Sequence, residues 1–289
     1  MFENFEQQLI TIGLNTIKLR KGGAGPPLLL LHGYPQTHVM WYKVAPKLAQ
    51  HFTLIITDLR GYGDSSKPES DPEHATYSKR AIATEQVKVM ETLGFKEFYV
   101  AGHDRGARVT HRMALDYPER VKKAALLDIV PTSTMYASTD KEVATAYYHW
   151  FFLIQPFDLP ETLIGANPEY YLRKKIAQWS RNPNSFSEEA LSEYLRCFCQ
   201  PATIHATCED YRAAASIDLE HDKQDSYKKI ACPLLVLWGN KGFVGKKYDV
   251  IAEWRKKAIN VQGTGLPSGH FLPEETPEET YQALTKFFL

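Results

Sequence analysis

At 289 residues the chain can bury one large core, or a core carrying an insertion. Lys plus Arg equals Asp plus Glu at 34 each, so the formal charge is zero, which removes the electrostatic case for nucleic acid or an anionic membrane surface as partner. The opening MFENFEQQLI has no basic-then-apolar leader and no apolar run reaches the length of a membrane span, so a soluble, cytoplasmic protein is the expectation.

In chain order, QLITI and NTIKLR around Gly13 predict a leading hairpin. PPLLLLHG is a continuous apolar run ending at glycine, the form of a strand buried on both faces. TLIITDLRG, EFYVAGHD, KKAALLDIV and CPLLVLWGN repeat it, and AINVQ closes the series. Helical stretches are expected at roughly 38–50, 74–94, 105–116, 245–257 and 276–288. This alternation predicts an α/β fold with a mostly parallel sheet and helices on both faces. It lapses from about 133 to 220, where TAYYHWFFLI, PEYYLRKKIAQW and EEALSEYLRCF read as helix. The expected organisation is therefore a core in two parts, 1–132 and 221–289, with a helical cap over 133–220. Cys197, Cys199, Cys208 and Cys232 form no C-x-x-C pair and are read as reduced thiols.

The residues that carry chemistry begin with VAGHDRGARV. Asp104 follows a β-run, precedes a helix and has Gly102 and Gly106 at minus two and plus two. That spacing allows the sharp turn that presents a nucleophile at a strand end. No G-x-S-x-G occurs, so the elbow offers a carboxylate where a serine hydrolase would offer a hydroxyl. A helix-capping aspartate is the bland alternative, but capping does not require glycine on both sides. Of ten histidines, His270 in GLPSGHFLPEETP stands out, after the last β-run and before the final helix. A base there needs a carboxylate to fix its tautomer. After the seventh run, VLWGNKGFVG has no acid before Asp249, which the pattern places inside a helix, whereas LDIVPT after the sixth offers Asp128. Elimination selects Asp128. Arg105 and Arg108 lie three apart at a helix start, so both can face one small anion and lower the pKa of Asp104.

With GHDRGAR, LDIVPT, YYHWFF and EDYRAA in view, the chain resembles the α/β-hydrolase superfamily over its whole length, and within it the fluoroacetate (haloacetate) dehalogenases. The resemblance implies an eight-stranded sheet, the order Asp104, Asp128, His270 for nucleophile, acid and base, and an oxyanion hole from the amides of Tyr34 (in HGYP) and Arg105. It further implies that Arg105 and Arg108 bind the carboxylate of a small 2-haloacid, while His149, Trp150 and Tyr211 of the cap hold the departing halide. No metal or organic cofactor is implied, and a homodimer is. The competing readings are an epoxide hydrolase with the same Asp-His-Asp set and cap tyrosines as proton donors, and a non-catalytic small-acid binding protein. An uncharged epoxide leaves the two arginines without a role.

Overall fold

A computed structural model describes residues 1–289, the side chain of Pro183 excepted. β1 (Glu6–Ile12) and β2 (Asn15–Gly22) form the leading hairpin, with Gly13 at φ +61° in its turn. The apolar runs become β3 (Pro27–Leu31), β4 (Thr53–Thr57), β5 (Phe98–His103), β6 (Val121–Leu127), β7 (Leu234–Gly239) and β8 (Val261–Leu266). All eight join one sheet in the order β1-β2-β4-β3-β5-β6-β7-β8. Every pairing from β4 onward is parallel, and β2 alone runs counter to the rest. Leu28–Leu31, Leu54–Ile56 and Ala124–Leu127 are fully buried, as strands covered on both faces must be.

Between the early strands lie α1 (Ala45–Leu48), α2 (Lys79–Thr92) and α3 (Arg105–Asp116). After β6 come eight consecutive helices: α4 (Thr132–Ala137), α5 (Lys141–Ala146), α6 (Tyr148–Phe152), α7 (Leu159–Gly165), α8 (Pro168–Trp179), α9 (Glu188–Phe198), α10 (Pro201–Ala215) and α11 (Ile217–Gln224). The core resumes with β7, α12 (Phe243–Lys247), α13 (Val250–Arg255), β8, α14 (Leu272–Glu275) and α15 (Pro277–Phe288). Among the described residues no helix is long and apolar enough to cross a membrane.

Three expected helices are broken. Residues 74–94 form a 3-10 turn at Ala75–Tyr77 and then α2, because Ser78 takes the cap position and accepts from the Ala81 amide. Residues 38–50 form a 3-10 turn at His38–Trp41 and then the single turn α1, because His38, Val39, Met40 and Trp41 are all buried and leave no polar face. The stretch 245–257 divides into α12 and α13 because Asp249 sits at the cap position, its carboxylate accepting from the Ala252 amide.

Register places the site. Leu31 pairs with Gly102, Gly102 with Leu126, and Leu127 with Leu237, so the carboxyl ends of β3, β5, β6 and β7 share one edge. The turns leaving these ends carry Tyr34, Asp104 and Asp128, which lie far apart in sequence and adjacent in space.

The glycines around Asp104 are required by contact. A Cβ on Gly102 would sit 2.5 Å from Thr110 Oγ1 and press on the Gly106 carbonyl; one on Gly106 would sit 2.7 Å from Leu31 Cβ and press on the His32 carbonyl. Gly106→Ala must therefore separate α3 from β3 and should destabilise the protein by about 3 kcal/mol or more. Gly165→Ala, where an added methyl meets nothing within 4 Å, should be neutral or stabilising by up to about 1 kcal/mol. Urea denaturation of both variants measures the contrast, and equal midpoints would show that the elbow is not tightly packed.

Candidate active site

Asp104 occupies φ +46°, ψ −111°, a backbone conformation that a non-glycine residue adopts only under constraint. It stands where a helix cap would stand, yet its side chain makes no capping hydrogen bond to α3. Instead Oδ1 accepts from the Tyr34 amide at 3.0 Å. The carboxylate is thus turned towards the loop after β3 and is only 6 % exposed. The Arg105 amide, at the first position of α3, has no acceptor within its own helix.

His270 lies with Nε2 3.9 Å from Asp104 Oδ2 and Nδ1 2.6 Å from Asp128 Oδ2. Asp128 follows β6 at φ +55° and is fixed from its other oxygen by the Gly239 amide at 2.9 Å. With Nδ1 donating to Asp128, Nε2 is left as the basic nitrogen facing the space in front of Asp104. Burial alone would lower the His270 pKa, but the hydrogen bond and charge of Asp128, then the charge of Asp104, outweigh it and raise it. For Asp104 the balance is reversed: burial raises its pKa, and His270 together with Arg105 and Arg108 pulls it below the usual carboxylate range. Asp104 is held ionised and His270 is held ready to accept a proton. His103, unassigned in the sequence reading, packs 4.5 Å from the His270 ring and bonds the His270 carbonyl through Nε2 at 2.7 Å. Burial pushes its pKa down to about 3, so it supports the base as a neutral group.

The two arginines are buried and are not equivalent. Arg105 Nε and Nη2 bind the Asp210 carboxylate at 2.7 and 2.9 Å, and Nη2 also reaches the Asp210 carbonyl at 2.6 Å, leaving Nη1 without a partner. Asp210 in turn takes Lys79 and the Tyr62 hydroxyl. Asp210 stands one residue before Tyr211 in EDYRAA, but nothing in that stretch marks it as the partner of Arg105. Arg108 has no carboxylate within ion-pairing distance among the described residues; Nη1 donates to Thr132 Oγ1 at 2.9 Å and the Val130 carbonyl at 3.1 Å, and Nε is unpartnered. Burial, then the Arg105 charge, lowers the Arg108 pKa, which is the signature of a cation short of an anion. Arg105 spreads over the Tyr211 ring at 4.2 Å and Arg108 over the Trp150 ring at 4.6 Å.

That stacking draws residues of α6 and α10 to the same place. His149, Trp150 and Tyr211 are buried, their rings 5.5 and 5.9 Å apart in the pairs His149–Tyr211 and Trp150–Tyr211. His149 Nδ1, Trp150 Nε1 and the Tyr211 hydroxyl all lack a hydrogen-bond partner. Buried donors are rarely left so, and three together mark a place for an acceptor. In front of Asp104 and His270 opens a cavity of about 230 Å³, walled on the helical side by Tyr147, His149 and Trp179 and on the core side by Phe243. Arg105, Arg108, Trp150 and Tyr211 do not line it. Among the described residues no group of three or more His, Cys, Asp or Glu is placed to hold a metal ion.

Comparison with known proteins agrees with this architecture. Residues 26–277 match the pattern of the alpha/beta hydrolase fold family. The chain is 45 % identical over 288 residues to a fluoroacetate dehalogenase of Burkholderia sp, covering 99 % of this chain and 95 % of that one. It is 35 % identical over 270 residues to a soluble epoxide hydrolase of Corynebacterium sp. (strain C12), covering 92 % and 91 %. A solved structure from Nostoc sp PCC 7120, assigned no more closely than to the α/β-hydrolases, superposes with a TM-score of 0.99 at 66 % identity, covering 100 % of this chain and 99 % of the other.

Asp128→Asn keeps an acceptor for Gly239 and removes the charge that raises the His270 pKa, so the imidazole should titrate at lower pH, as read by NMR of its ring protons. A histidine whose pKa is raised on folding contributes stability that is complete below its unfolded value of about 6.5 and is lost as pH rises through the folded value. The destabilisation caused by Asp128→Asn should therefore be larger near pH 6 than near pH 9. An unchanged His270 midpoint would leave Asp128 without influence on the base.

Proposed function

The chain belongs to the α/β-hydrolase family, and we propose that it is a haloacetate dehalogenase that takes fluoroacetate to glycolate and fluoride. Asp104 attacks the α-carbon of the 2-haloacid; the new carbon–oxygen bond makes an ester on the enzyme, and the halide leaves with the electron pair of the broken carbon–halogen bond. His270, oriented by Asp128, then takes a proton from water as its oxygen adds to the ester carbonyl. The amides of Tyr34 and Arg105 serve the resulting oxyanion, and collapse releases the 2-hydroxy acid. Asp104 Oδ1 already accepts from the Tyr34 amide, which supports that assignment.

The observation that carries the reading is the pairing of two unmet needs beside one ionised aspartate. Arg108 has no carboxylate, and the wall of His149, Trp150 and Tyr211 offers three donors with no acceptor. A haloacetate supplies both: a carboxylate for Arg108 and the free Nη1 of Arg105, and a developing halide for the donors. Fluoride is a poor leaving group unless solvated, and hydrogen bonds to a charged acceptor are worth roughly 1.5–3 kcal/mol each.

Epoxide hydrolysis on the same triad is the second reading, favoured by the free Tyr211 hydroxyl as a proton donor and by the Corynebacterium relative. An uncharged epoxide gives Arg108 no anion. Incubation with fluoroacetate, chloroacetate and a neutral epoxide, with free halide and diol measured, separates the two: diol without halide would reverse the assignment.

The covalent step has its own expected outcome. His270→Asn should release one halide per active site and retain a carboxymethyl group on the peptide containing Asp104, detectable by mass. In H₂¹⁸O, wild-type enzyme in excess should give mostly unlabelled glycolate in its first turnover and place the label in Asp104. Labelled first-turnover glycolate with no adduct would make Asp104 a general base. Trp150→Phe keeps the ring over Arg108 and removes one donor. Fluoroacetate turnover should fall by about 10–100-fold and chloroacetate turnover by much less, because fluoride concentrates its charge. An equal loss for both would reduce Trp150 to packing.

A further inference from the structure

The buried cation on α8 is Lys175. It is 1 % exposed, and among the described residues no carboxylate lies within ion-pairing distance of its ammonium; Gln178 Oε1 at 3.5 Å is its one polar neighbour. It is held instead by aromatic faces, with Nζ 3.5 Å from the Tyr148 ring centre, 5.2 Å from that of Trp179 and 5.8 Å from that of Tyr171. Cation–π contacts recover about 2 kcal/mol or more when desolvated, which offsets part of the cost of burying an unpaired ammonium. A methionine or leucine would fill such a site without that cost, so the packing of α8 does not account for a lysine here.

The cage adjoins the donor wall. Tyr148 precedes His149 on α6, Trp179 packs 4.6 Å from the His149 ring, and Gln178, Trp179 and His149 together line the cavity in front of Asp104. Lys175 thus stands one layer of side chains behind the place assigned to the leaving halide. The cations nearest Asp104 are differently placed: Arg105 is neutralised by Asp210, and Arg108 lies under Trp150, with its anion-binding face assigned to the substrate carboxylate. Arg181 and Lys246 line the cavity itself, and Arg181 is tied to the backbone carbonyls of Gln178, Ser180 and Lys241. On carbon–halogen cleavage, negative charge moves from Asp104 to the halide, towards the His149 wall. Burial pushes the Lys175 ammonium down to about 7, and no charged group on a neighbouring element contributes to that shift. Conversely, burial and then the Lys175 charge hold the His149 imidazole well below its usual pKa.

We infer that Lys175 is a positioning residue for halide departure: its buried positive charge, set behind His149, stabilises the halide as it leaves while touching neither substrate nor product. The inference rests on the haloacetate reading of the site. It predicts a requirement for charge at position 175 in the first half-reaction alone, steeper for fluoride than for chloride.

The test is the burst of halide release in rapid-mix experiments at pH 6, where the ammonium is charged and ester hydrolysis, which needs neutral His270, is slow. Lys175→Met should lower the fluoride burst rate by about tenfold, less than the 10²–10³ typical of removing a direct donor. The chloride burst should change by less than about threefold and the haloacetate concentration at half-saturation by less than about twofold. Thermal stability should be unchanged or raised, since an unpaired buried charge has been removed. Lys175→Arg should restore most of the fluoride burst. A Lys175→Met burst equal to wild type, an equal loss for both halides, or a loss that arginine does not restore would each overturn the role of Lys175. Wild-type enzyme that releases no halide from either haloacetate would instead overturn the dehalogenation reading itself, so the two failures are distinguishable.

Discussion

The site depends on one backbone constraint, the turn at Asp104. A non-glycine residue at φ +46° carries strain of about 1–3 kcal/mol, and it persists only where the surroundings leave no alternative. Here β5 is clamped between β3 and β6, and Gly102 and Gly106 bring α3 against the end of β3 so closely that no methyl group fits. The chain therefore cannot relax into an ordinary helix cap. Its carboxylate is directed out of the strand edge towards the Tyr34 amide and the His270 imidazole. The opposed pKa shifts of Asp104 and His270 follow from that placement, since each lies in the field of the other and of its own fixed partners.

A second constraint ties the helical insertion to this edge. Arg105 is the residue after Asp104, and Asp210 on α10 holds it with two hydrogen bonds to the carboxylate and one to the carbonyl. Lys79 and Asp218 complete a buried cluster of two cations and two anions. Removing a single member of such a cluster leaves an uncompensated charge, typically at a cost of about 3–5 kcal/mol. The insertion is thereby fixed to the core by electrostatics as well as by apolar packing. The stacking of Arg105 on Tyr211 and Arg108 on Trp150 carries that order to the donors.

The charge balance distinguishes the two arginines. Arg105 is spent on Asp210 except for one nitrogen, whereas Arg108 keeps its charge for an incoming group. A neutral ligand would leave that guanidinium unpaired in a dry environment, and a small carboxylate would not. The same α/β scaffold carries relatives of different named activity, so the proposed substrate rests on these side chains and not on the sheet.

Much of this was legible in the chain itself. Continuous apolar runs ending in glycine or aspartate are read as doubly covered parallel strands, and each such strand formed. The glycines flanking Asp104 identified the elbow because close approach and sharp turning leave few alternatives to glycine. The absence of any acid in the loop after β7 pointed to Asp128 as the partner of His270, and the two lie 2.6 Å apart. Helix limits at 38–50, 74–94 and 245–257 were not legible, since burial on all sides and single capping residues, Ser78 and Asp249, override periodicity. Nor was the inequality of Arg105 and Arg108, because spacing on α3 sets the direction of a side chain and not the identity of its partner. Asp210, His103 and Lys175 are likewise ordinary residues in sequence. Local pattern determined which residues stand at the strand ends, because turns and strands are short-range physics. Which charges are paired and which are left free was decided by tertiary structure alone, because it depends on contacts between residues far apart in the chain, such as Arg105 and Asp210 at 105 positions, that only the folded sheet and its insertion bring together.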